Sequence, residues 1–295
     1  MLWIPVTLVA AAAQTGRNAL QRRLTETLGT LGATQVRFLY GLPFALLFLG
    51  LVLLATGAPL PSPTPRFGLF VLLGAAAQVA ATALMLAAMR ERSFAVVTAL
   101  IKTEAVQIAV FGFAVLGDRL TGAALLAILI ATAGVILASF RGGFGALTHQ
   151  GLRPVVLGLA AGAAFAVSAV SFRGAILELG AAPLVGATAT LACGLAVQTV
   201  LLLAWMLAFG RGVLAAILRA WRASLPAGFL GAFASQFWFF GFALTAAANV
   251  RTLALVEVLM AQAISHRFLA QHASRRELVG LALIVVGVAL LVAQA

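Results

Sequence analysis

Charged side chains are scarce in this sequence of 295 residues, of which 9% are charged and 63% are apolar. A soluble globular domain is about 45–50% apolar and about 25% charged. The difference excludes an ordinary soluble enzyme and a disordered chain. Cysteine is almost absent as well: Cys193 is the only one, so no disulfide can form within the chain.

Motifs of ATP-driven and metal-dependent proteins are absent too. The sequence has no Gly-x-x-x-x-Gly-Lys-Ser/Thr phosphate loop, no His-Glu-x-x-His and no cluster of Cys and His. Its net charge is +12, but the Lys and Arg residues are scattered between apolar runs rather than gathered in one patch. The sequence therefore predicts no cofactor, no metal site and no nucleic-acid partner.

Long apolar runs are what the sequence does contain. A helix of about 20 mostly apolar residues crosses a hydrocarbon core of roughly 30 Å, and in lipid such a run satisfies its backbone only as a helix. Ten runs predict an all-α, multi-pass membrane protein with ten transmembrane helices. They lie at 2–22, 34–56, 67–89, 94–116, 120–140, 155–178, 183–209, 224–247, 249–270 and 277–293.

The segment from Arg211 to Arg222 differs from its neighbours. It places Leu214, Ile217 and Trp221 between arginines. This pattern suits a short helix that lies in the membrane interface. An extended, frayed end of the seventh span is the alternative, and the sequence favours neither.

The two halves of the sequence repeat at an offset of 153 residues. Glu104 falls on Glu257, and Gly134 falls on Gly287. Each half contains five spans, an odd number, so the second half is inverted relative to the first. Two inverted repeats with a site near the bilayer midplane are typical of transporters. The predicted repeats are residues 1–148 and 149–295.

Several strings in the first half resemble a known family. They are Ser-Phe-Ala-Val-Val at 93–97, Glu104, Leu-Gly-Asp-Arg-Leu-Thr at 116–121 and Gly-Val-Ile-Leu at 134–137. Together they resemble an EamA-type member of the drug/metabolite transporter superfamily. The second half is similar but looser, with Gln271 where the family usually has an acid. The resemblance implies a carrier of small metabolites, with ten helices in two repeats.

Two carboxylates, Glu104 and Glu257, fall in the middle of predicted spans. A charge there is costly, so it usually faces protein or water and serves a function. Either carboxylate is therefore predicted to exchange a proton, and the alternative is an ion pair that locks the bundle. Lys102 lies about 200° around the helix from Glu104, so we expect it to pair with another helix or to lie at a helix break. Lys102 is also a candidate substrate contact.

A polar stripe runs along the first span. Gln14, Arg17, Asn18 and Gln21 share one helical face. Because such a face is costly in lipid, we expect it to point into the protein. It then either lines a substrate cavity or makes hydrogen bonds between helices.

Two glutamines complete the predicted pathway. The third and eighth spans align with a small gap, which pairs Gln78 with Gln236 near the midplane. Trp238 belongs to a run of four aromatic residues, 237–240, that either packs or stacks on an apolar substrate. Arginines near span ends are expected to snorkel to the headgroups instead; these are Arg37, Arg173 and Arg251.

The combined pattern predicts a secondary active transporter, not an enzyme. It would move an amino acid or small organic acid across a cell inner (plasma) membrane by alternating access, with proton coupling. Export of drugs or cationic compounds is the alternative, and a membrane-embedded lipid-modifying enzyme is a more remote one. The expected partners are a small-molecule substrate and the lipid bilayer, and nothing in the pattern requires more than one copy of the chain.

Sidedness has two conflicting indications. Basic residues concentrate in the loops that follow odd-numbered spans, which places both termini outside by the positive-inside rule. The family resemblance implies that both termini are cytoplasmic.

Overall fold

The computed structural model describes residues 1–91, 97, 100–139, 152–259 and 274–294, and this part of the chain is helical. Eleven helices are described over these residues. In chain order they are α1 Trp3–Leu39, α2 Leu42–Thr56, α3 Pro65–Glu91, α4 Glu104–Leu116, α5 Gly122–Ser139, α6 Arg153–Glu178, α7 Pro183–Phe209, α8 Arg211–Arg219, α9 Trp221–Leu244, α10 Ala247–Leu253 and α11 Arg275–Val292.

Five segments of the described chain are long and apolar enough to cross a membrane. They are Leu24–Thr56, Pro65–Met85, Arg153–Glu178, Pro183–Phe209 and Trp221–Leu244. Their outward faces carry large apolar side chains such as Leu51, Leu54 and Val200, which are exposed. A helix that is apolar on all sides suits a lipid environment, because no face needs water.

The first helix corrects one predicted boundary. We expected a loop between residues 22 and 34, but the chain is helical on both sides of a single break at Gly29, with φ 65° and ψ 176°. Nε2 of Gln21 donates to the carbonyl of Ala33 at 3.2 Å. Twelve residues of continuous helix span about 18 Å, so the chain must bend sharply at Gly29 for this bond to form. Polar residues at 22–27 do not by themselves end a helix, which is why the prediction was wrong.

The predicted fourth and ninth spans are both interrupted next to a carboxylate. The helix before α4 ends at Lys102, Thr103 forms a turn, and α4 begins at Glu104. Likewise α10 ends at Leu253, and a turn precedes the helical residues 256–259. These breaks correct the prediction of two continuous helices. The remaining parts of both spans, 94–96, 98–99 and 260–270, lie outside the described residues.

Helix ends recur at the offset of 153 residues found in the sequence. The offset carries the first residue of α5 onto that of α11 and the last residue of α2 onto that of α7.

The chain divides into two compact units, each with helices from both predicted repeats. The first unit comprises Met1, Ala77–Val170 and Ala246–Ala295, and the second comprises Leu2–Ala76 and Ser171–Thr245. Within the first unit, α5 packs along α11, and α10 packs against α4 and α5. Within the second, α1 packs along α9, while α2 and α9 both contact α7.

The contact between α5 and α11 is close and symmetric. A Cβ on Gly134 would lie 2.7 Å from the carbonyl oxygen of Gly280, and one on Gly287 would lie 2.7 Å from that of Ala127. Gly134 is related to Gly287 by the offset of 153, and Ala127 is related to Gly280 in the same way. The two contacts are thus equivalent, as a local twofold relation between the two helices requires.

Candidate substrate and ion pathway

Two buried ion pairs lie in the first unit. Nζ of Lys102 is 3.3 Å from Oε2 of Glu257, and Nη1 of Arg251 is 3.6 Å from Oε1 of Glu104. The side chains are 11% and 13% exposed in the first pair and 14% and 6% in the second. Each charge is therefore largely removed from water and is compensated by a partner of opposite sign.

Both pairs join one predicted repeat to the other. Lys102 and Glu104 precede and begin α4, whereas Arg251 lies in α10 and Glu257 follows it. A base of the first repeat thus holds the acid of the second, and a base of the second holds the acid of the first. The prediction that Lys102 pairs with another helix or lies at a helix break is confirmed on both counts.

The helix break before α4 also stabilises the negative charge of Glu104. Glu104 stands in the first turn of α4, where the helix dipole is positive and favours a carboxylate. Discontinuous helices of this kind form substrate and ion sites in transporters, because their ends present unpaired backbone groups.

Arg251 was not among the predicted pathway residues. We expected it to snorkel to the headgroups, but it turns to Glu104 instead. One signal could have identified it: two acids at depth call for two bases, and Arg251 lies less than two helical turns before Glu257. The expected snorkelling was wrong because a buried partner of opposite charge was within reach.

The polar stripe of α1 lies in the second unit and points into the protein. Nε1 of the buried Trp238 donates to Oε1 of Gln14 at 3.0 Å, and Gln21 bonds the Ala33 carbonyl. Arg17 is buried, and its Cδ would lie 3.8 Å from a Cβ on Gly231. The side chain of Asn18 lies outside the described part of the chain. Arg17 is buried and Gln14 and Gln21 are half-buried, while the lining of a cavity by this stripe stays a prediction.

Gln236 lines an aromatic groove in the second unit. Its Nε2 donates to Oγ1 of Thr188 at 2.7 Å, a partner that the sequence did not indicate. The groove has a cavity volume of about 210 Å³. Its other lining residues are Phe48, Leu51, Val52, Leu184, Phe233 and Phe237. Gln78 belongs to the first unit, where its carbonyl accepts a bond from Oγ1 of Thr82 at 2.8 Å.

Arg173 does not snorkel either. Its Nη1 donates to the carbonyl oxygen of Thr245 at 2.6 Å and to that of Phe242. Both carbonyls lie at the C-terminal end of α9, where backbone acceptors have no partner within the helix. Arg173 therefore caps α9, and its positive charge complements the negative end of the helix dipole.

Comparisons with known proteins match the first part of the chain to a family and the whole chain to a known fold. A family model described as the EamA-like transporter family matches residues 1–140. One solved crystal structure, described only as that of a protein, superposes with a TM-score of 0.71 over 99% of both chains at 18% identity. At that identity the likeness shows the fold alone. A search of curated proteins finds no match.

Proposed function

Because residues 1–140 are an EamA-like transporter family domain, we propose that this multi-pass membrane protein is a secondary active transporter that works by alternating access. The family consists of transporters rather than enzymes, which removes the lipid-modifying enzyme from consideration. A transporter implies a small-molecule substrate and a bilayer. We assign the bilayer to the inner membrane of the cell.

The proposed architecture is ten transmembrane helices in two inverted repeats of five, 1–148 and 149–295. Three observations support it: the helix ends that recur at an offset of 153, the symmetric contact of α5 with α11, and the helix breaks beside both Glu104 and Glu257. Inverted repeats serve alternating access because two similar halves can exchange conformations about a fixed site.

The observation that carries the proposed mechanism is the pair of ion pairs between the repeats. Protonation of Glu257 removes its negative charge and frees Lys102 to bind an anionic group of a substrate. Loss of the proton restores the pair between Lys102 and Glu257 and displaces the anion. A proton and a substrate carboxylate thus act on the same pair, which couples one to the other.

The same reasoning gives the substrate class. Lys102 offers a cation to a substrate carboxylate once Glu257 is protonated, while the second acid, Glu104, offers an anion to an ammonium group. Amino acids and small organic acids fit this chemistry. The further candidates for the pathway are polar or aromatic residues of both units. In the second unit they are Gln14, Arg17, Asn18, Gln21, Gln236 and Trp238, and in the first unit the candidate is Gln78.

Export of drugs or cationic compounds is the second candidate. The groove beside Gln236 favours it, because five of its lining side chains are phenylalanine or leucine and none is charged. In addition, Glu257 neutralises Lys102, which weakens the argument that this lysine attracts an anionic substrate.

A binding screen followed by transport assays tests the proposal. Amino acids, organic acids, nucleotide sugars and cationic dyes are screened for an increase in the melting temperature of the purified protein, since binding to the folded state stabilises it. The compound with the largest effect is then followed in proteoliposomes under a proton gradient. A cationic dye as the strongest ligand would favour the drug exporter.

Three variants separate the roles of the first pair. We expect Glu257→Gln, which mimics the protonated acid, to retain exchange of substrate but to lose accumulation driven by the proton gradient. Lys102→Gln should lose both. Glu178→Gln is the matched control, because Glu178 also pairs with a base, Arg66, but lies outside the proposed pathway. Wild-type accumulation by Glu257→Gln and Glu104→Gln would remove the carboxylates from the mechanism.

A further inference from the structure

An exposed basic face lies on the short helix α8 in the second unit. Arg211, Arg219 and the nearby Arg222 are all exposed. We call these three residues the α8 arginine face. No Asp or Glu occurs between Glu178 and Glu257 in the sequence, so no acid of this long segment offsets the positive charge.

The opposite face of α8 is fixed to the protein. Ile217 is fully buried in a cluster with Leu24 and Leu28 of α1, and Val213 packs against the same cluster. The hydroxyl of Tyr40 donates to the carbonyl of Ile217 at 3.1 Å. The helix is therefore separate from α7 and not a frayed end of it, and the side that carries Val213 and Ile217 packs against the protein. The arginine face is held outward as a consequence.

Exposed aromatic side chains flank this face on both sides. Trp205 and Phe209, at the end of α7, have ring centroids 5.7 Å apart, and both are exposed. Trp221, the first residue of α9, is exposed too, and the guanidinium carbon of Arg222 lies 5.3 Å from the centroid of its ring. Tryptophan concentrates where hydrocarbon meets the headgroups. The aromatic residues thus place the arginine face at headgroup depth.

We propose that the α8 arginine face binds the headgroup of an anionic phospholipid. The planar guanidinium groups of Arg219 and Arg222 match phosphate oxygens and donate charge-assisted hydrogen bonds to them. Trp221 and Phe209 contact the lipid below its headgroup. Nε of Arg211 donates to the carbonyl of Leu207 at 2.8 Å, which anchors the third arginine at the end of α7. This site is separate from the proposed substrate pathway and does not depend on the transported compound.

Thermal unfolding of the purified full chain in a neutral detergent tests the proposal. Dioleoyl phosphatidylglycerol should raise the melting temperature, and dioleoyl phosphatidylcholine at the same concentration should not. The rise should vanish in 0.5 M NaCl, because salt screens exposed charges. Arg219→Gln with Arg222→Gln should weaken the apparent affinity for phosphatidylglycerol roughly 30-fold, since each basic residue near an anionic surface adds roughly fivefold.

A matched pair of substitutions controls for total charge. Arg66→Gln with Arg119→Gln removes the same two charges from exposed positions elsewhere and should retain the full effect of phosphatidylglycerol. If the double Gln variant of the arginine face does not fold, Arg219→Lys with Arg222→Lys keeps the charge and should retain a weaker, salt-sensitive effect.

Four results would overturn the proposal. They are an equal rise with phosphatidylcholine, a rise that salt leaves unchanged, an unaltered rise in the double Gln variant, and an equal rise with glycerol phosphate. The last result would assign the face to a soluble phosphate compound instead of a lipid.

Discussion

Lys102 and Glu257 form an ion pair, with 3.3 Å between Nζ and Oε2, although 155 residues separate them in the chain. The pair joins the end of one interrupted helix to the beginning of another. Its counterpart joins Arg251 to Glu104. In the proposed mechanism, these two pairs are the contacts that a substrate or a proton would replace.

Removing one partner of this ion pair should destabilise the protein more than removing both. Lys102→Gln or Glu257→Gln leaves an uncompensated buried charge, which typically costs about 3–5 kcal/mol. The double variant leaves two neutral side chains that can hydrogen-bond to each other. Thermal unfolding in detergent of the wild type, both single variants and the double variant measures the coupling. Additive effects of the two substitutions would contradict a functional ion pair.

Arg173 should contribute more to stability than Arg66. Arg173→Met leaves the carbonyls of Phe242 and Thr245 without their charged donor, and hydrogen bonds to charged groups are worth about 1.5–3 kcal/mol. Arg66→Met breaks an ion pair with Glu178 and a contact with the ring of Phe70, but the Arg66 side chain is 68% exposed, and exposed ion pairs are worth about 0–1 kcal/mol. Melting temperatures of the two variants compare the effects. A larger loss for Arg66→Met would show that Arg173 does not stabilise α9.

Gly134→Ala should destabilise the protein, whereas Gly50→Ala should not. A Cβ at Gly134 meets backbone atoms of α11 at 2.7 and 2.8 Å, so the two helices must move apart, at about 1–3 kcal/mol. Gly50 has open space around it, and alanine is the better helix former there by about 0.5–1 kcal/mol. Chemical or thermal unfolding of both variants gives the comparison. Equal stability of the two would place the contact of α5 with α11 in doubt.

Asparagine should be tolerated at Gly57 but not at Gly29. Both glycines have positive φ and open space for a side chain, but ψ is 9° at Gly57 and 176° at Gly29. The first conformation is left-handed helical, which asparagine adopts readily. The second belongs almost exclusively to glycine, and another residue there is strained by about 1–3 kcal/mol. Melting temperatures that fall equally, or that fall further for Gly57→Asn, would contradict the sharp bend at Gly29.

Hydrophobic runs predicted ten spans, of which the described residues show five candidates, and the interruptions of the helices were not predicted. The ends of the predicted seventh span agree with α7 to the residue, because Pro183 and Gly210 bound an apolar run. By contrast, nothing in the residues around Thr103 or Ala254 marks a break. Neither residue is glycine or proline, and the breaks are seen only in the backbone conformation of the structure.

The candidate pathway was predictable in its residue types but not in its contacts. Glu104, Glu257 and Lys102 were selected as candidates because a charge in the middle of a membrane span is costly wherever it lies. Arg251 was missed, and Arg173 was expected at the headgroups, because a span end looks the same in sequence whether its arginine reaches lipid or a buried acceptor. Gln236 was identified, but its partner Thr188 comes from a helix 48 residues away.

Residue order alone indicated that this chain enters a membrane, predicted two halves that repeat at an offset of 153 residues, and placed an acid at equivalent positions of the two halves. These properties depend on the free energy of transfer of each side chain from water to lipid and on the order of the residues, and both can be read from the sequence. Tertiary structure alone decided which base meets which acid, where α1 bends and which glycines let α5 approach α11. Such contacts depend on the packing of segments that are far apart in the chain, and no local sequence pattern indicates which segments pack together.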